Sequence, residues 1–358
     1  MFLAIRDIYS ARGRFALLGL VVGLITLLVV LLSGLTAGLA SQSTSAVTSL
    51  PGSHIVFGAT GEATPEVSFA DSAITEQQLH TWRDAQAPAW VEPLGLTPGQ
   101  AELEDSGSTA VTVLAARPHS VLAPDDLGDT GVVVSASLAE EEGVDTGDTI
   151  GLGDVDYPVT GTTPAAYYSH TPVVWTSLES WRDMVPTGSD PPTATVLVAD
   201  LDGQDPAELD EAATTVTETH TDSRAGVASF SAENGSLLMI QGFLYVISAL
   251  VVGAFLTVWT IQRAGDVAVL KALGGSTSYL VRDALVQAAI VLTLGAGVGA
   301  TLGWGVGALA ERTVPFELSG ATTIPPVLGM LGLGMLGAVL TVRRITSVDP
   351  LTALGSAR

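Results

Sequence analysis

The chain has 358 residues, 47% of them hydrophobic and 14% charged, and a mean hydropathy of +0.45. A water-soluble domain carries nearer a quarter charged residues, so a wholly soluble protein is excluded and much of this chain must meet lipid. The formal net charge of -23 is localised: 31 of the 37 acids but only 4 of the 14 bases lie in residues 41–235, which argues against nucleic acid as a partner of that block. There is no cysteine, which rules out disulfides and thiolate metal sites.

In chain order, residues 1–14 form a short basic N-terminal segment with Arg6, Arg12 and Arg14. Residues 15–40 carry no charge. They exceed the roughly 20 apolar residues that a helix needs to cross a hydrocarbon core about 30 Å thick. A cleaved signal peptide is the alternative reading, but its apolar region is only about 7–15 residues long. Residues 41–235 read as a mixed α/β domain. Strand-like runs fall at 54–58, 109–115, 132–135, 173–176 and 195–199, and helical patterns at 76–85 and 205–219. The Gly/Asp-rich stretch 143–163 reads as short strands joined by turns. The acidic runs 125–129 and 140–142 are read as solvated surface. A second span follows at 236–262, then a basic loop at 263–283, a third span at 284–310, an outer loop at 311–323, a fourth span at 324–342 and a tail at 343–358. The fourth span opens on Pro325-Pro326, tolerated in a first helical turn. The expected fold is therefore an α-helical membrane protein with four transmembrane helices and a mixed α/β extracytoplasmic domain inserted between helices 1 and 2.

Orientation follows from the bases. Arg6, Arg12 and Arg14 precede span one, Arg263, Lys271 and Arg282 separate spans two and three, and Arg343, Arg344 and Arg358 follow span four. The positive-inside rule makes these stretches cytoplasmic, with both termini inside and residues 41–235 outside a bacterial plasma membrane. Gly295, Gly299, Gly303 and Gly307 recur every fourth residue along span three, and Gly19/Gly23 and Gly34/Gly38 do so along span one. Such ridges let helix backbones approach closely, within one chain or across a dimer seam.

Several chemistries are missing. The lone lysine, Lys271, follows Leu270 rather than glycine, so no phosphate-cradling G-x-x-x-x-G-K-[ST] loop exists. There is no H-E-x-x-H or G-x-S-x-G, and the five histidines, all in the acidic block, lack metal-ligand spacing. The chain is not expected to be an enzyme or to hold an intrinsic cofactor. The spans also lack the buried charges of a proton-coupled carrier, so a partner must supply any transport energy.

Residues 262–282, QRAGDVAVLKALGGSTSYLVR, closely resemble the cytoplasmic loop of the MacB/FtsX-type ABC permeases. Arg263, Val269, Leu270, Lys271, Leu273 and Gly274 fit the pattern, and Asp266 stands where those proteins usually have Glu. The physical expectation for the stretch is a short amphipathic helix stopped by Gly274-Gly275. AIRDIYSARGRFAL (4–17), SVDPLTAL (347–354) and GDTIGLGDVDYPVTGTT in the outer domain resemble other parts of the same superfamily. The size of the outer domain and YYSHTPVVW (167–175) look most like the haem-exporter permeases of the HrtB type.

The resemblance implies a homodimer in the lipid bilayer, bound to a separate dimeric ABC ATPase that brings ATP and Mg. The coupling helix (Arg263, Asp266, Val269, Leu270, Lys271, Leu273 and Gly274) would dock on that ATPase, whose closure would squeeze a dimeric outer cavity and expel haem. Haem is flat, largely apolar and membrane-partitioning, so a site at the outer leaflet between spans one and two suits it. Glu233, Met239, Gln241 and Tyr245 lie at the outer end of span two, with Glu233 and Met239 as candidate iron ligands. Tyr167, Tyr168 and His170 form a second candidate cluster. The plainer readings are an interfacial charge for Glu233, lipid-facing filler for Met239, an aromatic-belt anchor for Tyr245 and turn packing for the second cluster. Other functions compatible with the sequence are an FtsX-like mechanotransmitter acting on an outer cell-wall hydrolase, an exporter of another amphiphile (peptide, lipid or drug), and a sensor paired with a histidine kinase.

Overall fold

The computed structural model describes residues 12–59, 63–85, 88–103, 107–185, 192–262 and 276–346. The coupling-loop residues Arg263, Asp266, Val269, Leu270, Lys271, Leu273 and Gly274 and the 347–354 tail motif lie outside the described residues. The chain divides into two compact units, one of residues 39–234 and one of the residues on either side.

The membrane unit is built on four long apolar helices: α1 (Arg12–Thr48), α6 (Ala228–Gln262), α7 (Thr277–Ala310) and α8 (Gly320–Thr346). Each contains a stretch long and apolar enough to cross a membrane. α1 and α6 are 37 and 35 residues long. At 1.5 Å per residue they reach about 55 Å, well beyond a hydrocarbon core of about 30 Å. Their residues between 39 and 234 group with the other unit. α8 begins upstream of the proline pair, because Ser319 caps it by accepting the Thr322 amide at 3.1 Å. Pro325 and Pro326 thus sit inside the helix, one turn past its start.

The glycine ridges meet each other within one chain. A methyl group at Gly295 would lie 2.7 Å from the Gly19 carbonyl oxygen, and one at Gly23 would lie 3.1 Å from the Gly295 carbonyl oxygen. Phe15, Leu18 and Val22 of α1 pack there with Ala288, Val291, Leu292 and Ala296 of α7. The outer loop closes over this pair, as the Phe316 ring occupies the space left by Gly34 and Gly307 and the Glu317 amide donates to the Gly34 carbonyl at 3.0 Å. By contrast, only 11% of the most apolar window of α6 is buried, against 39% for α1 and α7. One chain therefore leaves most of that helix to lipid or a second protein surface.

The other unit is a mixed ten-stranded sheet with short helices. Its elements are β1 (His54–Phe57), α2 (Glu76–Asp84), β2 (Trp90–Leu103), β3 (Gly107–Ala116), β4 (Val132–Ser135), α3 (Ala136–Glu142), β5 (Thr149–Leu152), β6 (Val155–Thr163), β7 (Tyr167–Tyr168), β8 (Thr171–Ser177), α4 (Leu178–Met184), β9 (Val196–Asp200), α5 (Ala207–Ala213) and β10 (Val216–Thr219). The strand order is β10-β1-β9-β2-β3-β8-β4-β6-β5, and β5 also pairs with β2, so six strands close on themselves. β2 belongs to both halves: Trp90–Leu94 pair with β9 and Gly95–Leu103 with β3. Trp181 lies where a side chain at Gly95 would point, and its indole N–H donates to Thr97 Oγ1 at 2.8 Å. One apolar cluster joins Phe57, Phe69, Leu94 and Leu114, and another joins Val113, Val134, Ile150 and Trp181. Arg117 and Arg83 converge on Glu92, pairing two of the block's few bases with one carboxylate.

The 205–219 helical pattern is corrected here: α5 stops at Ala213 and the chain turns through Thr214, at φ 54, into β10. The β-branched run Thr214–Thr217 disfavours helix. Asp210 fixes the reversal by accepting the Thr217 amide at 3.1 Å and the Thr215 and Thr217 hydroxyls at 2.7 Å.

Candidate functional site

β7 and β8 form a hairpin whose two-residue tip is Ser169-His170, between Tyr168 and Thr171, which are paired. Both tip residues have positive φ, 52 and 68. A two-residue turn of this kind requires left-handed backbone at both positions and usually takes Asn or Gly there. With Ser and His the turn costs on the order of 1–2 kcal/mol per residue, so other contacts must hold it.

Those contacts come from two helices. The amides of Ser169 and His170 donate to the carbonyls of Ser43 and Gln42 near the end of α1, at 3.0 and 3.1 Å. The Tyr167 amide donates to Ser45 Oγ at 2.9 Å. Ser169 Oγ donates to Ser229 Oγ at 2.9 Å, in the first turn of α6. His170 Nε2 lies 3.0 Å from Glu233 Oε1, one turn further along α6, and 3.1 Å from Ser43 Oγ. The hairpin tip is thereby fastened to both helices.

The two candidate clusters are therefore regrouped. His170 and Glu233, one from each, are in contact. Tyr168 is buried, with its ring edge-on to Phe69 at 5.8 Å, and burial raises its phenol pKa. That is core packing. The Tyr167 hydroxyl donates to Glu141 Oε1 at 3.0 Å, and burial followed by that carboxylate raises its pKa. Met239, Gln241 and Tyr245 belong to the membrane unit. Met239 is 64% exposed within the single chain, whereas the Tyr245 ring packs against Gly329 of α8.

Sequence reasoning overlooked Ser43. It is buried, faces His170 and lies just past span one, near the C-terminal end of α1. The signal was the Ser/Thr-rich run 41–49, unusual directly after a membrane span. One feature of Glu233 stands out: its Oε2 is covered and finds no hydrogen-bond partner among the described residues. No group of three or more His, Asp or Glu able to hold a metal ion occurs among those residues.

Against known families, residues 15–216 match the MacB-like periplasmic core domain and residues 238–350 match the FtsX-like permease C-terminal domain. The chain belongs to the MacB/FtsX permease family. It is accordingly a multi-pass membrane protein with an extracytoplasmic α/β domain between its first two spans. Among its relatives is the "Putative hemin transport system permease protein HrtB" of Staphylococcus epidermidis, 26% identical over 203 residues, 56% of each chain. The protein of the same name in Staphylococcus haemolyticus is 35% identical over 133 residues, 36% of this chain and 37% of that one. The macrolide export ATP-binding/permease protein MacB of Rhodopseudomonas palustris is 28% identical over 133 residues, 35% of this chain and 20% of its own. The matches thus span about half the length, or less, of these curated relatives. Among solved structures, the periplasmic region of MacB from Actinobacillus actinomycetemcomitans is similar at 10% identity and TM-score 0.35, covering 48% of this MacB/FtsX permease and 89% of that chain.

Proposed function

We propose that this permease is the membrane half of an ATP-driven pump that takes haem from the bilayer and releases it outside. The observation carrying this reading is the meeting of His170 with Glu233 at a polar site formed by the hairpin and both helices, where the other carboxylate oxygen has no hydrogen-bond partner among the described residues. Two relatives named as hemin transport permeases support it. Glu233 and Met239 are the proposed iron ligands, with Gln241 and Tyr245 lining the approach. Carboxylate oxygen and thioether sulfur both suit ferric or ferrous iron, and the porphyrin adds apolar surface. Tyr167 and Tyr168 are left to structural roles, because the first is bonded to Glu141 and the second is core.

In this reading two copies of the chain bind a separate ATPase dimer through residues 263–274, and ATP with Mg acts there. Closure of the ATPase would tilt the spans as rigid elements and compress the outer cavity. Both termini lie in the cytoplasm. That orientation predicts that single cysteines at Ser189 and Ser319 react with an impermeant thiol reagent on intact cells and that one at Ser276 does not. Labelling of Ser276 from outside would reverse the topology.

The substrate is tested by titrating purified protein with hemin. A saturable Soret band with a defined ligand signature is expected. Glu233→Ala and Met239→Ala should each alter it, because losing an axial ligand changes the coordination of iron even while porphyrin still partitions. Both changes should sensitise cells to haem at unchanged protein level. Absence of saturable hemin binding by the wild-type protein would remove the haem reading and favour the FtsX-like mechanotransmitter or an exporter of another amphiphile.

A further inference from the structure

We propose that the groove between α1 and α7 binds an anionic phospholipid, with an acyl chain lying along the two helices and the headgroup phosphate held by Arg12. The site is independent of the haem reading and lies wholly within the membrane unit.

Small residues open the groove. Where α1 borders it, Ala16, Gly19 and Gly23 carry a methyl group or no side chain at all. Gly295 faces Gly19 and Gly23 from α7, so the two backbones make a floor to which neither helix adds bulk. Leu20 and Leu24 stand along one wall, Leu294 and Val298 along the other, and each of these four is more than half exposed within the chain. The space between them is about 620 Å³. In a bilayer it does not stay empty, because bare walls would forfeit dispersion contacts and the hydrocarbon core holds no water to fill it. An acyl chain is thin, flexible and apolar, and it has the shape of this groove.

Depth and charge select the lipid. The lining runs along α1 from Arg12 to Leu27, about 22 Å at 1.5 Å per residue. The apolar span starts at Phe15, which leaves Arg12 about one turn outside it, at headgroup level. The apolar part of the groove is then roughly as deep as one leaflet, half of a core about 30 Å thick. Among the described residues that line the groove, Arg12 alone is charged, and it is exposed. A guanidinium matches a phosphate by charge and by paired N–H donors. With no acid in that lining, the amine of a zwitterionic headgroup finds no partner there, whereas a headgroup of net negative charge loses nothing. Basic pockets between transmembrane helices recognise anionic headgroups in this way. A second copy of the chain suits the groove less. Two copies related by an axis along the membrane normal would bring their Arg12 residues to one depth on one face, like charge against like. With the termini in the cytoplasm, as proposed above, the leaflet is the inner one, and the lining is the same in either orientation.

The test uses the full chain, stripped of native lipid in detergent and titrated with phosphatidylglycerol or phosphatidylethanolamine. Retained lipid is read by native mass spectrometry and stabilisation by thermal unfolding. Phosphatidylglycerol should be retained in preference and should raise the unfolding temperature. Arg12→Gln should weaken its retention about fivefold or more and remove the preference, while Arg12→Lys, which keeps the charge, should preserve it. Ala16→Phe fills the groove with Arg12 in place and should weaken phosphatidylglycerol binding to a similar extent. Leu17→Phe, at an exposed position of α1 outside the lining, is the control and should bind as the wild type does. Unfolding of the lipid-free variants reports any structural loss separately. Where Ala16→Phe does not fold, Leu294→Trp fills the groove from α7 with the same expected loss. Equal retention of the two lipids by the wild type would overturn the proposal, as would undiminished phosphatidylglycerol binding in Arg12→Gln or in the groove-filling variant. A loss in Leu17→Phe equal to that in Ala16→Phe would place the lipid outside the groove and overturn it too. Leu20→Cys, in a chain with no cysteine of its own, should not cross-link to a second copy in membranes. Efficient disulfide dimers there would assign the groove to an interface between copies instead. No hemin enters these measurements, so failure here leaves the haem reading untouched, and failure of that reading leaves this site untouched.

Discussion

Replacing Gly299 by leucine is expected to drive α1 and α7 apart and to destabilise the membrane unit by about 1–3 kcal/mol or more. A methyl group at Gly299 would fall on the Gly23 carbonyl and lie 2.9 Å from Thr26 Cβ. Neither neighbour is the flexible end of a side chain, so the backbones themselves would have to separate. Gly297 lies two residues away on the open face of the same helix, where an added Cβ meets nothing within 4 Å. Gly297→Leu is therefore the matched control and should be nearly neutral. The comparison is made by thermal or denaturant unfolding in detergent and by yield of monodisperse protein. Equal behaviour of the two variants would show that the α1–α7 contact does not depend on close backbone approach.

Replacing Leu270 by aspartate is expected to abolish association with the ATPase. If residues 266–273 form the docking helix, the substitution forces a charge into an apolar contact, at a cost on the order of a few kcal/mol. Co-purification of the ATPase with the permease should then be lost, together with any ATP hydrolysis stimulated by hemin. Membrane insertion and unfolding of the variant should match those of the wild type, because the position lies in sequence between spans two and three and outside both. Retained ATPase association would mean that docking occurs elsewhere on the cytoplasmic face.

The parts of the fold that were hard to see share a cause. β2 was missed although it is the longest strand, because Pro93, Gly95, Pro98 and Gly99 punctuate it. In isolation those residues signal turns. In the folded unit they accompany a strand that passes from one half of the sheet to the other, with the Trp181 indole against Gly95. The 205–219 stretch erred in the opposite direction, since its acidic and alanine-rich first half favours helix while its threonines belong to an edge strand held by Asp210. In the candidate site, Glu233 and His170 were each visible as polar residues in suggestive places. Their pairing was not, nor was the separation of Tyr167 and Tyr168 into a surface bond and a core ring.

The four spans and the inserted acidic α/β domain were determined by sequence alone. Hydropathy over about 20 residues and the sign of flanking charge are local quantities, and the bilayer responds to them directly. The glycine ridges were equally visible as a spacing. Which surface each ridge meets was decided only by tertiary structure, because a ridge encodes close approach and carries no address: Gly295 and Gly299 face Gly19 and Gly23 of the same chain. The site was decided in the same way. His170 and Glu233 are 63 residues apart, and no local propensity links them. They meet because a strained hairpin tip is bonded to the end of α1 and the start of α6, which is a consequence of long-range packing.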